Sequence, residues 1–117
     1  MTIQELVGDY KISGTNQNDS ASSYQGMLSL TVNEAHQIIA SWTIGHDQEQ
    51  VGVGFFKNNI LVINFTYLGD DANTYSGTVV YRCLTKNMLD GFWSEAYGDP
   101  KFIGTEQCFR ITREAIN

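Results

Sequence analysis

Apolar and polar residues alternate along most of the chain, and the alternation breaks into eight runs. The first, spanning 6–12, puts Leu6, Gly8, Tyr10 and Ile12 on one side. The others span 24–32, 37–45, 48–56, 60–67, 74–83, 88–96 and 102–112. A period of two is the mark of a half-buried strand, and no stretch of helical period outlasts a single turn. Between the runs lie turn-forming segments: the small polar residues 14–23, the turn 33–36, the acidic loop 69–73, the turn 84–87, and 97–101 with the only proline, Pro100. Asn tolerates positive φ, so Lys57-Asn58-Asn59-Ile60 reads as a two-residue hairpin turn. Residues 113–117 read as a tail.

One stretch occurs twice. Tyr24-Gln25-Gly26 leads to Trp42 and Tyr75-Ser76-Gly77 leads to Trp93, an offset of 51 residues at the Tyr, the Gly and the Trp. Pairing Asn33 with Gln37 sets Leu28 opposite Trp42, and pairing Leu84 with Met88 sets Val79 opposite Trp93. Every connection is short enough for a hairpin. The pattern therefore predicts one all-β domain over 1–117, an eight-stranded antiparallel up-and-down (meander) β-barrel. Its half-repeats cover about 6–56 and 59–112 and are related by an internal twofold. Closure removes sheet edges that would otherwise pair with other chains. An open two-sheet sandwich is the alternative architecture. Gly26, Gly52, Gly54, Gly77, Gly91 and Gly104 fall inside strands, where Gly marks bends or close approach of another group. The indoles of Trp42 and Trp93 are expected to lie over such bare backbone.

A chain of 117 residues with 42% hydrophobic and 12% aromatic content can bury one real core. Seven basic residues against thirteen acidic give a net charge of −6. That balance argues against a nucleic-acid surface and against an anionic membrane surface, both of which need dense Lys and Arg. No apolar run approaches the roughly 20 residues of a membrane span. No basic segment followed by an apolar one precedes the first run, so a cytoplasmic location is expected. The two cysteines, Cys83 and Cys108, would sit on strands two apart, roughly 9.6 Å from each other. A disulfide reaches roughly 7 Å between Cα atoms, so two free thiols are expected.

Motifs for metal, nucleotide or nucleophilic chemistry are missing. His36 and His46 fall in turns at opposite ends of one strand and would not share a metal, although His46 lies beside Asp47 and Glu49. The loop 69–73 lacks the spacing and terminal Glu of a calcium loop. Gly52-Val53-Gly54 has no following helix, and the sequons at Asn18 and Asn64 lack a secretory context. No cofactor and no metal site are expected.

Strand eight carries the open question. Glu106 and Arg110 share a face with Phe102, Gly104 and Cys108, opposite Ile103, Phe109 and Ile111. Pairing Glu95 with Phe102 puts Gly104 beside Trp93 and Glu106 beside Gly91, pointing inward. Glu106 and Arg110 would then form an interior polar network with Tyr10, Tyr75 and Tyr81. The opposite register puts Phe109 and Ile111 inside and leaves Glu106 in water. An aromatic ring of Tyr10, Tyr24, Trp42, Phe56, Phe65, Tyr75, Tyr81 and Trp93 lines either version.

Gly8-Asp9-Tyr10 near the start and Arg110 in Cys108-Phe109-Arg110-Ile111 near the end resemble the calycin superfamily of lipocalins, fatty-acid-binding proteins and avidins. Those barrels open with Gly-x-Trp on strand one and often carry an Arg or Lys on the last strand that packs across that ring. Here Tyr replaces the Trp. The resemblance implies a ligand-holding, lipocalin-like barrel without specifying the ligand.

The functional expectation is a soluble barrel that binds a small hydrophobic or aromatic molecule in its interior. The candidate ligand-binding residues are Tyr10, Tyr24, Trp42, Tyr75, Tyr81, Trp93, Glu106 and Arg110. Such binding calls for a cavity of at least roughly 300 Å³ that reaches one mouth. The first alternative is a filled barrel acting as an oligomeric interaction module. Ile39, Val51, Val53, Phe55, Ile60 and Val62 form an apolar outer face on strands three to five, which is expected to be covered in a homodimer. The second alternative is a barrel-mouth isomerase or cyclase, for which Glu106 is the candidate acid/base because burial raises a carboxylate's pKa.

Overall fold

The structure is a computed structural model, and it describes residues 1–112. Eight strands follow one short 3-10 turn at Gln4–Leu6. They are β1 (Gly8–Thr15), β2 (Ser23–Val32), β3 (Ile38–Ile44), β4 (Gln48–Lys57), β5 (Ile60–Leu68), β6 (Thr74–Thr85), β7 (Met88–Glu95) and β8 (Gly104–Arg110). Each pairs antiparallel with its neighbour in sequence, and β1 pairs with β8 to close the barrel. The meander barrel expected from the alternation is the fold, and the sandwich is excluded. The predicted tail at 113–117 lies outside the described residues. No helix among the described residues is long and apolar enough to cross a membrane.

The hairpin registers follow from their turns. Asn33 N–H donates to the Gln37 carbonyl at 3.1 Å, and Leu28 stands opposite Trp42. Asn33 Oδ1 fixes that turn by accepting from the Ala35 and Gln37 amides at 3.0 and 2.9 Å. Lys57 pairs with Ile60 around Asn58 (φ 52) and Asn59 (φ 62), the left-handed pair such a turn requires. In the β6–β7 hairpin Val79 does stand opposite Trp93. The turn beyond it differs from expectation. Leu84 belongs to β6 and bulges outward, so Thr85 rather than Leu84 pairs with Met88. An extra residue on one strand is the ordinary cost of sharpening a bend there.

Other boundaries shift as well. Leu6 lies in the 3-10 turn rather than in β1, where its side chain plugs the barrel end, and β1 extends to Thr15, which shortens the first loop. Phe102 precedes β8 and is exposed. The thiols of Cys83 and Cys108 are free and buried. They flank Leu89, which pairs with Cys83 on one side and Cys108 on the other. Burial pushes the Cys83 thiol up to about 11.

The ladder places the barrel's two ends differently. The 3-10 turn, the β2–β3, β4–β5 and β6–β7 turns, and the C-terminal end of β8 lie at one end. The loops after β1, β3, β5 and β7 lie at the other. Toward the first end the lumen is filled by Leu6, Tyr10, Leu30, Ile38, Leu61 and Leu89, all fully buried. Burying side chains of this kind is worth about 1.5–3 kcal/mol each.

Candidate functional site

β8 takes the register in which Trp93 faces Gly104 and Gly91 faces Glu106. Glu106 therefore points into the lumen with 4% of its surface exposed, and Phe109 points out. Apolarity favoured the opposite choice. The hydrogen-bond ladder decides, because strands fixed in register by their turns leave β8 one way to close on both β7 and β1.

The rings at this level are seated on glycines one strand away. A Cβ at Gly104 would collide with the Trp93 indole. A Cβ at Gly91 would stand 2.5 Å from Tyr81 Cδ1, and one at Gly77 2.5 Å from Phe65 Cζ. The expectation that indoles cover bare backbone holds for Trp93 on Gly104 and, more loosely, for Trp42, whose Cζ3 lies 3.1 Å from a Cβ built on Gly52. It fails for Gly26, where a Cβ would instead strike the Thr43 carbonyl, and for Gly77 and Gly91, which meet Phe65 and Tyr81 rather than Trp93. Omitted side chains let the rings flatten against the wall, and space remains between them.

That space is a cavity of about 160 Å³ running from the exposed rim at Gln48 to buried Glu106. Its wall includes Tyr24, Trp42, Phe65, Tyr67, Val79, Tyr81 and Trp93, with Glu95 near the rim. The volume falls short of the roughly 300 Å³ expected from general pocket sizes. Trp42, Phe65 and Trp93 meet edge to face, with centroids 6.2 Å apart in both pairs, and occupy part of the lumen.

A hydrogen-bond network converges on Glu106. Trp93 Nε1 donates to Tyr24 Oη at 3.0 Å, and Tyr24 Oη donates to Glu106 Oε1 at 2.8 Å. Trp42 Nε1 divides its proton between Tyr81 Oη and Glu106 Oε2, both at 3.2 Å. Tyr81 Oη donates to Oε2. Burial raises the Glu106 carboxyl above the usual Glu value of 4.5, while the Tyr81, Tyr24 and Trp42 donors pull it down. The upward direction holds because no cation among the described residues acts on it. Tyr24 and Tyr81 are both raised, first by burial and then by the Glu106 charge. Burial followed by the Glu106 charge likewise raises the Cys108 thiol.

Five candidate residues therefore meet at one place: Tyr24, Trp42, Tyr81, Trp93 and Glu106. Three do not. Arg110 lies four residues beyond Glu106, about 13 Å along the strand, and serves the closed end. Its guanidinium sits 4.9 Å from the centroid of the Tyr10 ring and donates to the Glu5, Val7 and Lys86 carbonyls and to Tyr10 Oη. Tyr10 Oη in turn donates to the Leu6 carbonyl at 2.7 Å, and burial pushes this phenol up to about 12. Gly8 (φ +150) leaves room for the guanidinium, against which any Cβ would collide. Tyr75 stacks on Tyr67 at 5.4 Å outside the cavity and donates to Asp71 in the loop after β5. The interior network of Glu106 with Arg110, Tyr10 and Tyr75 does not form.

Among the wall residues outside the candidate set are Tyr67 and Glu95. Tyr67 donates to Glu95 Oε2 at 2.5 Å, and burial raises its phenol. Parity with Phe65 and Trp93 was the available signal for both. Gln17 was invisible: its amide bridges to Ser94, the Asp99 carbonyl and the Glu95 amide, tying the loop after β1 to the loop after β7. His36 and His46 sit in turns at opposite ends of β3.

The fold defines the class as a closed eight-stranded antiparallel meander barrel. No family model matches the chain, and no curated protein does. A redesigned beta barrel is similar to it, with a TM-score of 0.70 at 15% identity over 94% of this chain and 95% of that one. A protein of unknown function from the DUF3598 family of Nostoc punctiforme is also similar, with a TM-score of 0.58 at 11% identity. That match covers 95% of this chain and 49% of the Nostoc protein, so the chain spans about half its length. At these identities the likeness is one of fold.

Proposed function

We propose that this barrel binds a small hydrophobic or aromatic molecule through its open mouth. The cavity carries this reading, because about 160 Å³ of space reaches the rim in a barrel whose other end is filled by side chains. A cavity of about 150 Å³ accommodates benzene, so a single ring is the size class. Arg110 over the Tyr10 ring supports a calycin-like assignment, in which such a closed end accompanies a ligand-holding interior. Native mass spectrometry of freshly purified protein should show an adduct of single-ring mass that leaves on denaturation. It should be absent from an Ile44→Trp variant, which fills the mouth. Native protein without an adduct, whose Trp fluorescence also ignores a panel of single-ring compounds, would overturn the reading.

A second copy of the chain fits the outer wall of β3–β5. Val51, Val53 and Phe55 are 54%, 44% and 60% exposed, and the charged neighbours on that face of β4, Glu49 and Lys57, lie at its ends. An uncharged patch lets two chains of net charge −6 meet without opposing like charges. Sedimentation velocity should give a dimer that Val53→Glu dissociates. A monomer at high concentration would remove this reading.

A further inference from the structure

We propose that the mouth cavity selects a small organic cation, an ammonium carried on a single ring, over neutral and anionic molecules of the same size. The inference rests on the small-molecule reading above and names the chemistry of the ligand. Three observations carry it.

The charges lining the cavity are of one sign. Glu95 and Glu106 stand in its wall, and among the described residues no Lys or Arg does. An anion entering would face two carboxylates with no cation among the described wall residues to offset them.

The wall has also spent its aromatic donors. Both indole N–H groups and the Tyr24 and Tyr81 hydroxyls point along chains that end on Glu106, and the Tyr67 hydroxyl ends on Glu95. Indole is a donor only, and each phenol has a single proton. What these groups leave for a ligand is acceptor oxygen and ring π-density. A carbonyl or carboxylate would find neither useful, whereas an ammonium uses both.

Finally, Glu106 has a place open. A carboxylate offers about four acceptor sites. Oε2 takes Tyr81 and Trp42, with the Cys108 thiol at 4.0 Å, while among the described residues Oε1 takes Tyr24 alone. A buried carboxylate surrounded by neutral groups attracts a counter-charge more strongly than one in water does, because the effective dielectric is lower. Trp42, the aromatic residue type that binds cations best, already donates its N–H to this carboxylate, so both recognition elements lie within one contact of each other.

The experiment is a calorimetric and Trp-fluorescence titration of the full chain with benzylamine, benzyl alcohol and benzoate, three single-ring probes of closely similar size. Benzylamine should bind about tenfold more tightly than benzyl alcohol, in line with a desolvated cation–π contact plus a charge-assisted hydrogen bond, and benzoate should not bind. Glu106→Gln should reduce the preference for benzylamine over benzyl alcohol to within about threefold. Glu95→Gln, at the more exposed rim, should weaken benzylamine less and supplies the readout if the Glu106 variant does not fold. Equal binding of benzylamine and benzyl alcohol, or binding of benzoate, overturns the cation inference and leaves the small-molecule reading standing. Failure of all three probes to bind overturns both. A preference that survives in both variants also overturns the inference, because the charge would then play no part.

Discussion

At one end of the barrel Leu6, Leu30, Ile38, Leu61 and Leu89 fill the lumen around Tyr10, while at the other the space over Gly77 and Gly104 is shared by aromatic rings and a cavity. The same ladder of hydrogen bonds serves both ends. Each end holds one charge of β8 against neutral partners. Arg110 meets three backbone carbonyls and a phenol oxygen, and Glu106 meets two phenols and an indole. The two charges do not pair, because they stand four positions apart along one strand. The closed end uses its charge to fasten chain segments together. The open end gathers donors around its charge and leaves room beside it. Aliphatic fill therefore carries stability at one end, and the other is free to carry recognition.

The largest test of this division compares two truncations. Leu30→Ala, at the filled end, should cost about 3 kcal/mol in a denaturant titration, whereas Ile44→Ala, in the cavity wall, should cost about 1 kcal/mol. Equal costs would mean that both ends are packed alike. A smaller effect concerns pH. Burial raises Glu106, so the folded state holds that proton more tightly than the unfolded chain does. Its contribution is fully present below the ordinary value of 4.5 and is lost as pH rises through the raised one. Stability should decline with rising pH across that window, and Glu106→Gln should flatten the decline. A variant with an unchanged pH profile would show that Glu106 is not the group responsible. The smallest effect belongs to Tyr75→Phe. Its hydroxyl bonds Asp71 outside the cavity, so stability should move by less than about 0.5 kcal/mol and benzylamine affinity should hold.

Strand number, order and most pairings were legible in the sequence because two residues, Asn33 and Gln37, set a register that the alternation then propagated from Leu28 to Trp42. The inward set on β2–β7 follows from parity alone. β8 was not legible: the face bearing Phe109 and Ile111 is the more apolar, and inside and outside in a narrow barrel are assigned by closure rather than by hydrophobicity. The site was half legible for the same reason. Tyr24, Trp42, Tyr81, Trp93 and Glu106 share parity and depth, while Arg110 shares parity alone. Depth depends on how far each strand is staggered around the barrel, which pairwise alternation does not encode. The Gln17 bridge and the cavity volume depend on side-chain reach, and no local pattern records that.

Consecutive strands are tied by a turn or loop, whereas β1 and β8 are held by six residue pairs from Tyr10↔Arg110 to Thr15↔Thr105. Because the strands are antiparallel, Gly8 and Arg110 emerge at the same end. A mechanical load on those two ends would peel the seam open one pair at a time, like a zip, instead of shearing the whole ladder together. Arg110, gripping the carbonyls of Glu5 and Val7, is the slider that must release first. Glu106, opposite Gly14, is next to last in the row, so the chamber that faces the mouth keeps its wall until the seam is almost undone.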